Sequence, residues 1–235
     1  MKLIIILLSS VLFLKAEFVA GFDAQYYALN IKEKREVFIK KINALLDVSF
    51  EAVEKEKEFV ESFFKEALKN NFRSLNSNAI KKLWLLKEKY RVKNLYDLHE
   101  YRVRIQVVPK SLAIAQAIIE SATGTSRFVK EANNLFGEWT WGEKGLIPKE
   151  RGEGKTHKIR IFDSLQESVD SYLLNLNRHD AYKEFRTWRW NAISENEKLG
   201  GKEAAGHLEK YSEIKSNYTK LIISIIEQHK LDELD

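Results

Sequence analysis

The chain has 235 residues, 44% hydrophobic and 31% charged, a size and balance that suit one well-cored domain and exclude a disordered tail. It holds no cysteine, which excludes structural disulfides and a lipid-modified N-terminal cysteine while leaving an oxidising compartment open. The net charge of +5 suits a polyanionic partner, but no basic tract is interleaved with stacking aromatics, so nucleic acid is not expected as one.

Met1-Lys2 precedes an apolar run, Leu3 to Leu14, that Lys15 ends. The run is short for a bilayer span and the right size for the core of a signal peptide. Residues 1–20 are therefore expected to be a signal peptide or an N-terminal membrane anchor, with export to the periplasm. From Ile31 to Lys69, Val37, Ile42, Leu45, Leu46, Val53, Phe59, Val60, Phe63 and Phe64 recur at helical spacing among many charges. One or two long amphipathic helices are predicted, with the apolar stripe packed on the rest of the chain. Asn71 to Asn78 is a polar break, and Ser77 or Asn78 can cap a helix through about Tyr90. A short helix is predicted near Leu95 to Arg102.

Pro109 suits a first helical position, opening a helix that carries Ser111 to Glu120 and that Gly124 can end. Six of the ten glycines fall between Gly124 and Gly154, around Trp139 and Trp141, which predicts loops and a small antiparallel hairpin. Ser164-Leu165-Gln166-Glu167 is a capping box that opens a helix burying Leu165, Val169, Tyr172, Leu173 and Leu176. Further helices are predicted over Tyr182 to about Glu195, Glu203 to Lys210 and Tyr218 to Lys230, with Gly200-Gly201 as a turn. The fold class is α+β, mainly α.

Glu120 is the informative residue. A lone carboxylate ending an almost wholly apolar helix is costly unless it has a task. Desolvation by Ile118 and Ile119 and the negative end of the helix dipole should both raise its pKa. A carboxylic acid kept protonated is what a glycosidase needs to protonate a leaving oxygen. The five histidines show no metal-ligand spacing, and no nucleotide loop or nucleophile elbow appears, so neither metal nor cofactor is expected.

Gln116 to Phe128, then Asn133-Asn134-Leu135-Phe136-Gly137, resembles the N-acetylglucosaminidases of glycoside hydrolase family 73. That family includes the flagellar rod-cap domain, the autolysin glucosaminidases and the Bax-like proteins. The Bax-like branch is most similar, through Trp139-Thr140-Trp141, Pro148-Lys149, Gly154 to His157, Phe162-Asp163-Ser164 and Tyr172 to Tyr182. The likeness covers roughly residues 80 to 230. It implies a lysozyme-like domain over 79–235, with 21–78 as a helical extension packed on it. It also implies a peptidoglycan glycan-strand substrate, cut at the GlcNAc-β-1,4-MurNAc bond with Glu120 as general acid.

A second carboxylate in the β-lobe is implied as well. Of Glu138, Glu143, Glu150 and Glu153, the spacing from Glu120 favours Glu150 and Glu153, and Glu153 is taken as the catalytic one. The substrate's own acetamido group could replace it as nucleophile. The family's site tyrosine matches Tyr211-Ser212, with Tyr218 following at the next helix; Tyr172 reads as core. Ser121, Asn133, Asn134 and Glu150 are expected to contact substrate. Trp139 and Trp141, on one face of a strand, are expected to form a flat platform for sugar rings. The chain departs from the usual motif in having Ala122-Thr123 after Ser121. Two alternatives remain at this stage: a lytic transglycosylase, which the missing Gly-Leu-Met-Gln block disfavours, and a non-catalytic wall-binding scaffold.

Overall fold

A computed structural model describes residues 21–148, 154, 156–208 and 215–235, the side chains of 215 and 216 excepted. The expected signal segment, Glu150, Glu153 and Tyr211 lie outside the described residues. Among the described residues no helix is long and apolar enough to cross a membrane.

The architecture is mainly α with one small antiparallel sheet, as the composition predicts. α1 (Ala24–Ala28) leads into α2 (Ile31–Lys69), a single helix of 39 residues. Its start is held by a reciprocal capping box: the Asn30 side chain accepts from the Glu33 amide, and the Glu33 carboxylate accepts from the Asn30 amide. At 1.5 Å per residue α2 is roughly 58 Å long, and its two halves bury their stripes in different places. Phe38, Ile42, Leu45 and Leu46 enter the main core, whereas Val53, Val60, Phe63, Phe64 and Ala67 form a second core with α3 (Ser77–Tyr90) and α4 (Leu98–Arg104). Phe38, not Val37, is the inward residue of the first half; Val37 is 43% exposed. Asn76 caps α3, one residue before the expected Ser77.

α5 (Lys110–Ser121) is the centre of the molecule. Leu112, Ala113, Ile114, Ala115, Gln116 and Ala117 are wholly buried, so every face of this helix meets protein. Pro109 sits as its N-cap. α6 (Arg127–Ala132) follows, then β1 (Trp139–Thr140), which pairs antiparallel with β2 (Lys158–Ile159) in the register Trp139 with Ile159 and Thr140 with Lys158. α7 (Leu165–Arg178) buries the expected stripe of Leu165, Val169, Tyr172, Leu173 and Leu176. Ser164 caps it by accepting from the Glu167 amide, while the Glu167 carboxylate reaches past the cap to the Asp163 amide at 2.8 Å. After a 3₁₀ turn (Asp180–Tyr182) come α8 (Lys183–Ser194), α9 (Gly201–Gly206), with Gly200 as its N-cap, and α10 (Lys215–His229).

Two buried arginines lock α7 and α8 to the segment that enters α5. Arg189 is fully buried and donates to the carbonyls of Val103, Gln106 and Val107 and to Asn177 Oδ1. Arg186 donates to the carbonyls of Leu176 and His179. Burial pushes the Arg189 guanidinium down to about 9, because carbonyl dipoles replace water without a carboxylate among these partners. Arg189→Leu removes all four of these donations, and the Gln106 carbonyl keeps only the one from Asn177 Nδ2. A loss of about 2 kcal/mol or more is expected, offset in part by the charge no longer buried. Urea midpoints of wild type and variant measure it, and equal midpoints would refute the role.

Candidate active site

The helix α5 delivers Glu120 to a turn that is unusual in its backbone. Ala122, Thr123 and Gly124 have φ of 50°, 53° and 69°. A β-branched residue in the left-handed region is strained, and the surroundings hold it there. Tyr26 donates to the Thr123 carbonyl at 2.6 Å and Tyr27 to the Gly124 carbonyl at 3.3 Å. Ser121 is buried; its hydroxyl donates to the Ala117 carbonyl and accepts from the Gly124 amide at 2.8 Å. A Cβ at Gly124 would lie 2.7 Å from the Phe22 ring, so only glycine lets α1 press against this turn. Ser121 therefore shapes the turn from within instead of facing a ligand.

Burial raises the Glu120 pKa, and a hydrogen bond from Tyr218 opposes the rise. That bond ends a directional chain: Tyr172 Oη donates to Gln116 Oε1 at 2.6 Å, Gln116 Nε2 donates to Tyr218 Oη at 3.2 Å, and Tyr218 Oη donates to Glu120 Oε1 at 2.7 Å. Each donor is polarised by the one before it, so the chain favours negative charge at its end. With Oε1 accepting from Tyr218, the acid proton belongs on Oε2. That oxygen faces Gly137, where a Cβ would lie 3.7 Å away. Tyr172 is core as expected, buried and stacked on Phe136 with centroids 3.9 Å apart, but its hydroxyl is the root of the chain.

The Asn133 to Gly137 segment turns out to be the joint between the helical body and the lobe. Asn133 ends α6 at φ 50° and donates to the Phe162 carbonyl at 3.0 Å. Asn134 is 1% exposed; it donates to the Glu138 and Arg160 carbonyls and accepts from the Glu138 amide. Its amide group is thus consumed inside the protein, a correction to the expected sugar contact. Leu135 donates its amide to Ser168 Oγ at 3.1 Å, and Gly137, at φ 67°, brings the chain past Glu120.

Trp139 and Trp141 are 50% and 71% exposed. Their rings meet edge to face, with centroids 6.4 Å apart and planes at 74°, so they do not make one flat platform. The flat element is Trp139 alone, backed by His157 with centroids 4.1 Å apart and planes at 19°. His179, by contrast, caps its own turn, Nδ1 accepting from the Ala181 amide at 3.1 Å.

Of the lobe carboxylates that are described, Glu143 is exposed and Glu138 is not. Glu138 accepts from Ser171 Oγ at 2.8 Å, lies 3.9 Å from Arg160, and has a buried Oε1 without a hydrogen bond. Desolvation raises its pKa. Burial pushes the Tyr182 phenol up to about 12, and the charges of Glu138 and then Glu120 add to the rise.

A sequence model of the glucosaminidase family, described as mannosyl-glycoprotein endo-beta-N-acetylglucosaminidase, matches residues 96–231. The chain belongs to the glucosaminidase family. The chain is similar to the protein bax of Escherichia coli (strain K12), 29% identical over 127 residues, or 54% of this chain and 45% of bax. It is also similar to an N-acetylmuramoyl-L-alanine amidase domain-containing protein of Staphylococcus aureus (strain NCTC 8325 / PS 47). There the identity is 31% over 134 residues, or 53% of this chain and 21% of that protein. The chain thus spans less than half the length of either relative. No solved structure matches it. The likeness to family 73 and its Bax-like members that the motifs imply is borne out.

Proposed function

We propose that this chain is an exported peptidoglycan hydrolase, an endo-β-N-acetylglucosaminidase that cuts the GlcNAc-β-1,4-MurNAc bond in the periplasm. The observation that carries the reading is Glu120: a desolvated carboxyl at the end of a wholly buried helix, with one oxygen held by Tyr218 and the other turned to the Gly137 edge of the lobe. Glu120 Oε2 gives its proton to the glycosidic oxygen as the bond to the anomeric carbon breaks. The carboxylate left behind receives the hydrogen bond from Tyr218, which is strongest once the charge has formed. Trp139, on its His157 backing, stacks on the apolar face of a sugar ring. Glu153, or the acetamido group of the substrate, completes the displacement. The N-terminal segment directs export and serves as a membrane tether if it is retained.

Digestion of purified peptidoglycan, with mass spectrometry of the new reducing ends, tests this reading. New N-acetylglucosamine ends that vanish in Glu120→Gln support it. Anhydro-muramic ends would replace it with a lytic transglycosylase. Wall binding without cleavage by the wild type would replace it with a scaffold.

A further inference from the structure

The second half of α2 packs with α3 and α4 around a core separate from the one behind Glu120. The charge of this module is uneven. From Glu51 to Arg104, thirteen lysines and arginines stand against nine acids, which is four of the chain's five net positive charges. At the end nearer the body the acids are matched, Lys89 with Glu56 at 2.7 Å, Arg102 with Glu61 at 2.6 Å and Arg104 with Glu100 at 2.9 Å. At the tip, where α2 turns into α3, acids run out. From Ser62 to Leu86 the sequence has one, Glu66, against Lys65, Lys69, Arg73, Lys81 and Lys82. All five cations are exposed and without an ion pair among the described residues. The next loop brings Asp97, whose carboxylate caps α4 by accepting from the Glu100 amide at 2.9 Å.

The same tip exposes apolar side chains. Leu68, Phe72 and Tyr96 are 62%, 42% and 49% exposed, and the Phe72 and Tyr96 rings meet edge to face with centroids 5.6 Å apart. Lys65, Leu68 and Lys69 share one face of the last turns of α2, and Phe72 follows one turn on. Lys81, Trp84 and Leu85 repeat that spacing on the outer face of α3, with both apolar residues about half exposed. The turn between the helices is built rather than frayed. Asn71, Phe72 and Ser74 have φ of 50°, 58° and 55°, and the Phe72 amide donates to the Ala67 carbonyl at 2.7 Å. An aromatic residue held in the left-handed region, with its ring in water beside an available core, costs stability in the isolated molecule.

We propose that this tip docks on an anionic lipid bilayer, with Leu68, Phe72 and Tyr96 entering the interface and Lys65, Lys69 and Arg73 against the headgroup phosphates. Charge complementarity selects an anionic surface and excludes a second copy of the same tip, which would set unpaired cations against one another. The apolar residues select lipid among anionic surfaces. Leucine beside aromatic rings is matched by acyl chains, and lysine stems lie along the same apolar surface while their charges reach the phosphates. A nucleic acid uses phosphate contacts and ring stacking, and offers nothing to Leu68. The inference stands independently of the glucosaminidase reading.

The chain has no cysteine, so Asn70→Cys, exposed at the end of α2, carries one polarity-sensitive dye that reports on the tip and not on the N-terminal segment. In the full chain its emission should shift to the blue on vesicles rich in phosphatidylglycerol, stay unchanged on pure phosphatidylcholine vesicles, and shift less in high salt. Adding Lys69→Glu with Arg73→Glu should demand roughly tenfold more lipid for the same shift. Adding Leu68→Ser with Phe72→Ser, which keeps every charge, should abolish the shift. All four side chains are exposed, and either pair suffices if the other does not fold. No shift on the anionic vesicles, an equal shift on both vesicle types, or a shift unchanged by both pairs would overturn the proposal. A larger shift with duplex DNA or isolated peptidoglycan than with vesicles would assign the tip to that polymer and overturn the bilayer.

Discussion

Glu120→Gln is expected to lower glycan cleavage by a factor on the order of 10³ and, near neutral pH, to melt at a higher temperature than the wild type. The two effects have one cause. Burial raises the Glu120 pKa, and the Tyr218 hydrogen bond only partly offsets it. Between the ordinary carboxylate range and the raised value, the folded protein keeps a proton that the unfolded chain has released. Stability therefore falls as pH rises through that window and is constant above it. Glutamine is neutral at every pH and can still accept from Tyr218 through Oε1, so the variant escapes the penalty while losing the transferable proton. Melts at about pH 4 and about pH 8 check the sign. The variant should gain at the higher pH and match the wild type at the lower one. Coincident melts at both would mean that the carboxyl is well solvated and not tuned as an acid.

Much of this site is legible in the sequence because its logic is local. Ser111 to Ile119 announces a buried helix, and a carboxylate at its end can be noticed without knowing what packs on it. Desolvation proves the dominant cause of the Glu120 shift, as Ile118 and Ile119 suggested. The helices on either side follow from their stripes and caps, missing by a residue or two where caps compete, as at Asn76.

What escapes is whatever depends on which atoms are already occupied. Asn133 and Asn134 read equally well as ligand contacts or turn formers, and only the carbonyls of Phe162, Glu138 and Arg160 decide between these. Ser121 is beside Glu120 in sequence yet points into the turn. Trp139 and Trp141 alternate in sequence as if on one strand face, but the strand ends at Thr140, and the Trp139 ring stacks on His157 while meeting Trp141 edge to face. Ala122 and Thr123 look like ordinary loop residues, and their left-handed backbone needs α1, a hundred residues earlier, to hold it. The exposed and buried carboxylates of the lobe, Glu143 and Glu138, cannot be told apart by spacing alone.

Tyr218 is the residue on which geometry goes furthest beyond sequence, since the family pattern directs attention to Tyr211, seven positions earlier. Tyr218→Phe is expected to lower kcat by roughly 10- to 100-fold, the worth of one hydrogen bond to a forming charge. It is also expected to move the alkaline limb of the pH–rate profile upward. Cleavage needs Glu120 protonated, so activity falls on the alkaline side as Glu120 ionises. Tyr218 donates to the carboxylate and so holds its pKa down; without that donor the acid stays protonated to higher pH. The variant should therefore be slower at its optimum and yet retain a larger fraction of its own maximum in alkaline buffer. Gln116→Leu should produce a weaker version of both effects, because it removes only the donor behind Tyr218. A phenylalanine variant that is slower with an unmoved limb would reduce Tyr218 to packing, and the hydrogen-bond chain from Tyr172 would then have no part in setting the acid.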